Sequence, residues 1–258
     1  MRIAVIGTGK MGGWAVREFS KDGHDVYLYD RNSERARAIG VGKTIESLEE
    51  LQRIKPQVLV NAVSLENTVA AFEAVEGYLD KECIICDIAS IKGDIPKYYE
   101  KSGRKFVSVH PMFGPTFANV EALSKENMVI VKESCPEGVE FFEKLGKRLG
   151  LNMFQYTFEE HDKMMAYSLT LPFTSTMVFA GCMDATAVPG TTFRKHMAIA
   201  KGLLSEEDNL LTEILFNKYS LAQLEKVTAR LEFLKHVIKG KDREEAKQFF
   251  DKLRKNIW

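Results

Sequence analysis

The chain has 258 residues, enough for one large domain or two smaller ones, and its apolar content of 45% is ordinary for a globular protein. Thirty-six basic residues balance thirty-six acidic ones. With no Lys/Arg block standing out, no nucleic acid partner is expected. No apolar run approaches the roughly 20 residues a membrane helix requires. The opening Arg2-Ile3-Ala4-Val5-Ile6 is too short, and too soon interrupted by glycine, for a secretory signal, so a cytoplasmic protein with no membrane association is expected.

The first half alternates short apolar runs with amphipathic stretches, the pattern of a doubly wound, mostly parallel sheet in an α/β domain. Strands are predicted over residues 3–6, 26–29, 58–62, 83–87, 106–109, 128–131 and 153–156, and helices near 11–20, 33–39, 45–52, 68–75, 95–100 and 137–149. Cys83 and Cys86 make a Cys-x-x-Cys inside an apolar run, not at a helix start, and no second pair completes a zinc site. Buried reduced thiols are expected there, and no metal. After about residue 157 the strands stop. Helical periodicity is clearest where Leu221, Leu224, Thr228, Leu231, Leu234 and Ile238 recur at three- and four-residue intervals. The expected organisation is therefore a nucleotide-binding domain over 1–157 and an all-helical domain over 158–258, with Gly190 and Gly240 breaking helices.

Gly7-Thr8-Gly9-Lys10-Met11-Gly12 follows the first strand and opens a helix, the context that lifts Gly-x-Gly-x-x-Gly above a chance match. Gly7 permits the tight turn, Gly9 lets the backbone approach a pyrophosphate, and Gly12 allows helix and sheet to pack closely. The helix N-terminus offers free N–H groups to the phosphates. Asp30 ends the second strand, where a carboxylate can accept from the ribose hydroxyls and repel a 2′-phosphate. NAD is expected in preference to NADP, although Arg31 beside it could instead pair with that phosphate.

Two later loops carry polar groups, Asp87-Ile88-Ala89-Ser90-Ile91-Lys92 and the second half of Ser108-Val109-His110-Pro111-Met112-Phe113-Gly114-Pro115. In an open parallel sheet a ligand lies outside the carboxyl ends of the strands, so both loops should converge on the nicotinamide. His110 is the candidate base. Ser90 could orient the imidazole, hold the reacting hydroxyl, or serve only as a helix N-cap, and Lys92 could pair with a substrate carboxylate.

The Asp-x-x-Ser-x-Lys of Asp87 to Lys92, the His-Pro-Met-Phe-Gly-Pro of His110 to Pro115, and the later His161-Asp162-Lys163-Met164-Met165-Ala166 resemble the prephenate dehydrogenase family. They stand in that family's order, and with the helical tail the resemblance covers essentially the whole chain. It implies a Rossmann domain followed by a helical domain, and a homodimer formed through the helices. The implied reaction is the NAD-dependent oxidative decarboxylation of prephenate to 4-hydroxyphenylpyruvate, in tyrosine biosynthesis. It also implies that Arg194 holds a substrate carboxylate, with Lys201 where many members carry a second arginine. Many relatives place a histidine within residues 168–173 and this chain has none, which keeps arogenate as an alternative substrate. A dinucleotide-binding sensor without catalysis is the alternative of a different class, and the presence of His110 argues against it. His161 and Asp162 could help form a wall between the domains or serve only as a helix start.

Overall fold

The computed structural model of the chain describes residues 1–114, 123–184 and 188–258. The first half runs β1 (Arg2–Ile6), α1 (Lys10–Lys21), β2 (Asp25–Tyr29), α2 (Ser33–Arg37), β3 (Lys43–Thr44), α3 (Glu50–Ile54), β4 (Val58–Asn61), α4 (Leu65–Glu76) and β5 (Ile84–Asp87). It continues through α5 (Ile95–Ser102), β6 (Phe106–Pro111), β7 (Asn127–Val131), α6 (Pro136–Leu149) and β8 (Asn152–Tyr156). Together the strands form one eight-stranded sheet in the order β3-β2-β1-β4-β5-β6-β7-β8. Every pair is parallel except β6 with β7.

β1, β4 and β5 read as unbroken apolar runs because helices cover both sheet faces. Side chains still alternate between faces. Ile3 and Val5 join one cluster with Trp14 and Phe19 of α1 and Phe142 and Leu145 of α6. Ala4 and Ile6 join the opposite cluster, with Leu51, Phe72, Tyr98 and Tyr99. Phe19, Phe72 and Phe142 are wholly buried, each contributing about 1.5–3 kcal/mol.

The helix expected over 45–52 forms only from Glu50 onward, as α3 (Glu50–Ile54), and its first half is not helical. Lys43 and Thr44 pair with Tyr27 and Leu28 as the short edge strand β3, and the N–H of Ile45 continues the ladder to the Leu28 carbonyl. The Glu50 carboxylate accepts from the N–H groups of Glu46 and Ser47, turning the chain before α3. Ile45, Leu48 and Leu51 have helical spacing, but tertiary pairing claims the first of them.

Beyond Tyr156 every described element is helical: α7 (Phe158–Met165), a π-helical turn (Ala166–Thr170), α8 (Leu171–Gly181), α9 (Thr191–Leu203), α10 (Asp208–Leu215), α11 (Ser220–Gly240) and α12 (Arg243–Arg254). Thr157 starts α7 with a reciprocal capping box to Glu160. The π turn precedes Pro172, which has no N–H to give to the Ser168 carbonyl and so interrupts the α ladder. Gly190 caps α9 and Gly240 ends α11, as the sequence suggests. The helices meet the sheet where Phe158 stacks on Phe106 and where Met165, Leu169, Phe173 and Ile214 surround Ile91 and Met112. Among the described residues no helix is long and apolar enough to cross a membrane, and no cluster of His, Cys, Asp or Glu could hold a metal ion. Cys83 and Cys86 are buried free thiols.

Candidate active site

The strand order reverses direction between β1 and β4, and the glycine turn sits in the crevice this creates. Gly7 has φ of +84°, and a Cβ there would lie 2.8 Å from backbone atoms of Ala62 and Val63 at the end of β4. A Cβ on Gly12 would strike the Gly7 carbonyl. Gly9 differs: no atom lies within 4 Å of where its Cβ would be, and it is the N-cap of α1 with no side chain closing that end. A cleft of about 390 Å³ opens there, lined by Thr8, Gly9, Lys10, Gly13, Arg17, Arg35, Ile39 and Glu207. Met11 turns inward against the sheet, and Arg31 is exposed at the rim of β2.

The Asp30 carboxylate is held by the protein itself. Oδ2 accepts from the N–H and hydroxyl of Thr8 at 2.8 and 2.9 Å, and Oδ1 accepts from the N–H of Asn32 at 2.9 Å. Burial pushes its pKa up, but these donors outweigh burial and hold the carboxyl below its usual range. Asp30 thus presents a fixed negative charge beside Thr8, which lines the cleft together with Arg35.

β6 extends two residues further than the sequence suggests, so His110 is a strand residue opposite Val129 of β7, not a loop residue. Its motif reaches the cofactor helix through Phe113, whose ring meets Trp14 of α1 edge-on at 5.2 Å. Pro115, the last residue of that motif, lies outside the described residues. His110 is 5% exposed, and its Nδ1 lies 3.1 Å from Nε2 of the fully buried His161. Nδ1 of His161 lies in turn 3.0 Å from Oδ1 of Asp162. The Asp162 carboxylate also accepts from the backbone N–H groups of Lys92 and Gly93 at 2.9 and 3.3 Å. Asp162 thereby fastens α7 to the loop after β5, and His161 fastens it to β6.

Burial, with the neighbouring His161 and Lys92, pushes the His110 imidazole well below its usual pKa. Burial also lowers His161, against the opposing pull of Asp162. For Asp162, burial raises the carboxyl, but the His161 and backbone hydrogen bonds bring it below the ordinary carboxylate value. The result is a neutral histidine pair resting on an ionised carboxylate.

Lys92 corrects an expectation. Its side chain is wholly buried, with Nζ donating to Asp87 Oδ2 at 2.7 Å and to the Val109 carbonyl at 2.8 Å, while Tyr99 donates to the other Asp87 oxygen. No substrate carboxylate can reach that ammonium; it anchors the strand immediately before His110. Ser90 is half-buried on the loop after β5. Arg194 and Lys201 lie seven residues apart on α9, one stripe of the helix, and both are exposed. Arg194 donates to the Pro189 carbonyl and the Thr191 hydroxyl at the start of its own helix. His161 and Asp162 are the residues whose part in the site the sequence left open. Their signal was a histidine–aspartate pair in the first turn after the last strand.

A glycine turn at the switch point of a doubly wound sheet, opening a helix with an uncapped N-terminus, defines a nucleotide-binding domain, and a buried histidine stands at the carboxyl end of β6 in the same sheet. The model of the prephenate dehydrogenase nucleotide-binding domain matches residues 15–145, half of the chain, and the chain belongs to the prephenate dehydrogenase family. The T-protein of Haemophilus influenzae is 22% identical over 225 residues, covering 84% of this chain and 56% of that protein. A probable arogenate/prephenate dehydrogenase of Methanocaldococcus jannaschii is 26% identical over 177 residues, covering 64% of this chain and 38% of that protein. The alignments thus span about half or less of these relatives' length. The crystal structure of prephenate dehydrogenase from A. aeolicus, in complex with hydroxyphenyl propionate and NAD+, has the same fold, with a TM-score of 0.84 at 18% identity over 99% of this chain and 96% of that one.

Proposed function

We propose that the chain carries out the oxidative decarboxylation of prephenate to 4-hydroxyphenylpyruvate with NAD, as a cytoplasmic homodimer joined through its helices. The observation that carries this reading is His110, buried at the carboxyl end of β6 with Nδ1 occupied and Nε2 without a partner among the described residues. A dinucleotide fits the residues present: Gly9 leaves space where any side chain would stand, α1 offers its uncapped N-terminus to the phosphates, and Asp30 is ionised at the ribose end. NAD, when bound, supplies the hydride acceptor.

His110 Nε2 takes the proton of the ring hydroxyl, which loads electron density onto the carbon that loses its hydrogen. Loss of the ring carboxylate as carbon dioxide then leaves an aromatic ring. Ser90 orients the hydroxyl, and the cationic stripe of Arg194 and Lys201 receives the carboxylates. On the single chain α9 stands largely in solvent, as do Leu221, Leu224, Leu231, Leu234 and Ile238 of α11, and a homodimer would cover them.

One observation favours arogenate as a second reading. The Ser168 hydroxyl is buried with no hydrogen-bond partner among the described residues, in the segment where many relatives carry a histidine. A hydroxyl there can accept from the amino group of arogenate. The test is reduced-dinucleotide formation with prephenate and with arogenate, each with NAD and NADP. Turnover of prephenate with NAD supports the first reading, turnover of arogenate alone the second, and dinucleotide binding without any turnover would mean a sensor.

A further inference from the structure

The base on β6 is the outer end of a three-residue chain, His110–His161–Asp162, built from two distant parts of the sequence. The carboxylate settles where each proton sits. Ionised Asp162 can only accept, so the nitrogen facing it, His161 Nδ1, carries hydrogen. His161 Nε2 is then a lone pair and must be met by a hydrogen on His110 Nδ1. That leaves the lone pair of His110 on Nε2. Asp162 is itself fixed from two sides, by the N–H groups of Lys92 and Gly93 and, at its carbonyl, by the Asn217 amide.

We propose that His161 and Asp162 are positioning residues that set the tautomer of His110, so that Nε2 is its basic nitrogen, and that give the captured proton an exit. As His110 Nε2 gains a proton from the substrate hydroxyl, its Nδ1 proton passes to His161 Nε2. His110 is neutral again, and the cation rests on His161 against the Asp162 carboxylate. One proton enters and one moves inward; no electrons change hands in this relay. The base role rests on the reaction proposed above, whereas the tautomers do not. The charged and titratable groups facing the pair are Lys92 and Asp87 from the β5 side and Asp162 from α7. The two rings titrate as a coupled unit.

Nitrogen-15 labelled protein reports imidazole tautomers directly in long-range proton–nitrogen spectra, with or without turnover. Substituting the three remaining histidines, His24, His196 and His236, leaves only the pair to be assigned. At neutral pH both rings are expected as Nδ1–H. A hydrogen on Nε2 of either ring overturns the assignment. In kinetics, Asp162→Asn keeps an oxygen but loses the charge; it is expected to lower kcat roughly tenfold or more with KM little changed, and to move the acid limb of the rate profile to lower pH. An unmoved limb with normal kcat would overturn the proton exit. A protein silent on both substrates whose rings are both Nδ1–H would refute the proposed reaction and leave the tautomer assignment standing.

Discussion

The ammonium of Lys92 lies 2.7 Å from the carboxylate of Asp87, with neither side chain exposed at all. The pair ties β5 to the Val109 carbonyl next to the base, and each member has further partners: the Tyr99 hydroxyl and the Ala89 N–H donate to the carboxylate, and the ammonium donates to the Val109 carbonyl. Lys92→Met would strand a buried carboxylate. The expected cost is about 3–5 kcal/mol of unfolding free energy, read by urea denaturation, whereas Lys201→Met on exposed α9 should stay within about 0.5 kcal/mol. A Lys92→Met protein as stable as its parent would mean that the pair is not the anchor described.

His110→Asn keeps a polar side chain on β6 but removes the basic nitrogen. Turnover should fall by roughly a hundredfold or more while dinucleotide affinity hardly changes, since Gly9 and Asp30 are untouched. Steady-state kinetics together with dinucleotide titration separates the two effects. Near-normal turnover removes His110 from the chemistry.

Much of this was legible in the sequence. The glycine turn, the end of β2 at Asp30 and the His110 motif follow from local signals, because each depends on a strand end and the few residues after it. The partnership of His110 with His161 was not, because the two stand 51 positions apart, with the whole of β7, α6 and β8 between them. Lys92 looked like a substrate contact because lysines are rarely buried unless paired, and its partner Asp87 lies five residues away on a strand whose inward direction only the fold sets. β3 escaped notice because two residues cannot establish a period of two, and it exists only by pairing with Tyr27 and Leu28.

Acid should unfold the protein through the same site. His110 and His161 have folded pKa values below the ordinary 6.5, so below about pH 6.5 the unfolded chain binds more protons at these two positions than the folded one. Stability is therefore full above that pH and falls as pH descends toward the folded values. Asp162, with its folded pKa below 3.8, adds a contribution that is present above that value and lost at still lower pH. Urea unfolding between neutral pH and pH 5 should show this slope, and His110→Asn should flatten it. An equal slope in both proteins would place the acid sensitivity elsewhere.

The cofactor preference turns on Asp30 against its arginine neighbours. The carboxylate is fixed at the end of β2 by Thr8 and Asn32, while Arg31 stands exposed beside it and Arg35 lines the cleft. Asp30→Ser removes the repulsion of a 2′-phosphate and leaves both guanidiniums to pair with it. The ratio of kcat/KM for NADP over NAD should rise by about tenfold or more, on the scale of one charge-assisted contact. A ratio that does not move would mean that the adenosine ribose lies away from the end of β2.

The apolar stripe of α11 stands uncovered on the single chain. Leu221, Leu224, Leu231, Leu234 and Ile238 keep helical spacing, yet all are exposed on the single chain, Leu221 and Ile238 by 66% and 71%. A helix whose regular apolar face stays in water is missing a neighbour. If a second copy is that neighbour, sedimentation should give twice the chain mass, and Leu231→Glu with Leu234→Glu should release the monomer, since a carboxylate pair at each position would be buried without partners. Because α9, carrying Arg194 and Lys201, is also largely uncovered on the single chain, the separated form should lose substrate turnover before it loses dinucleotide binding at the glycine turn. A monomeric parent protein with full activity would show that the stripe is covered by something other than a copy of itself.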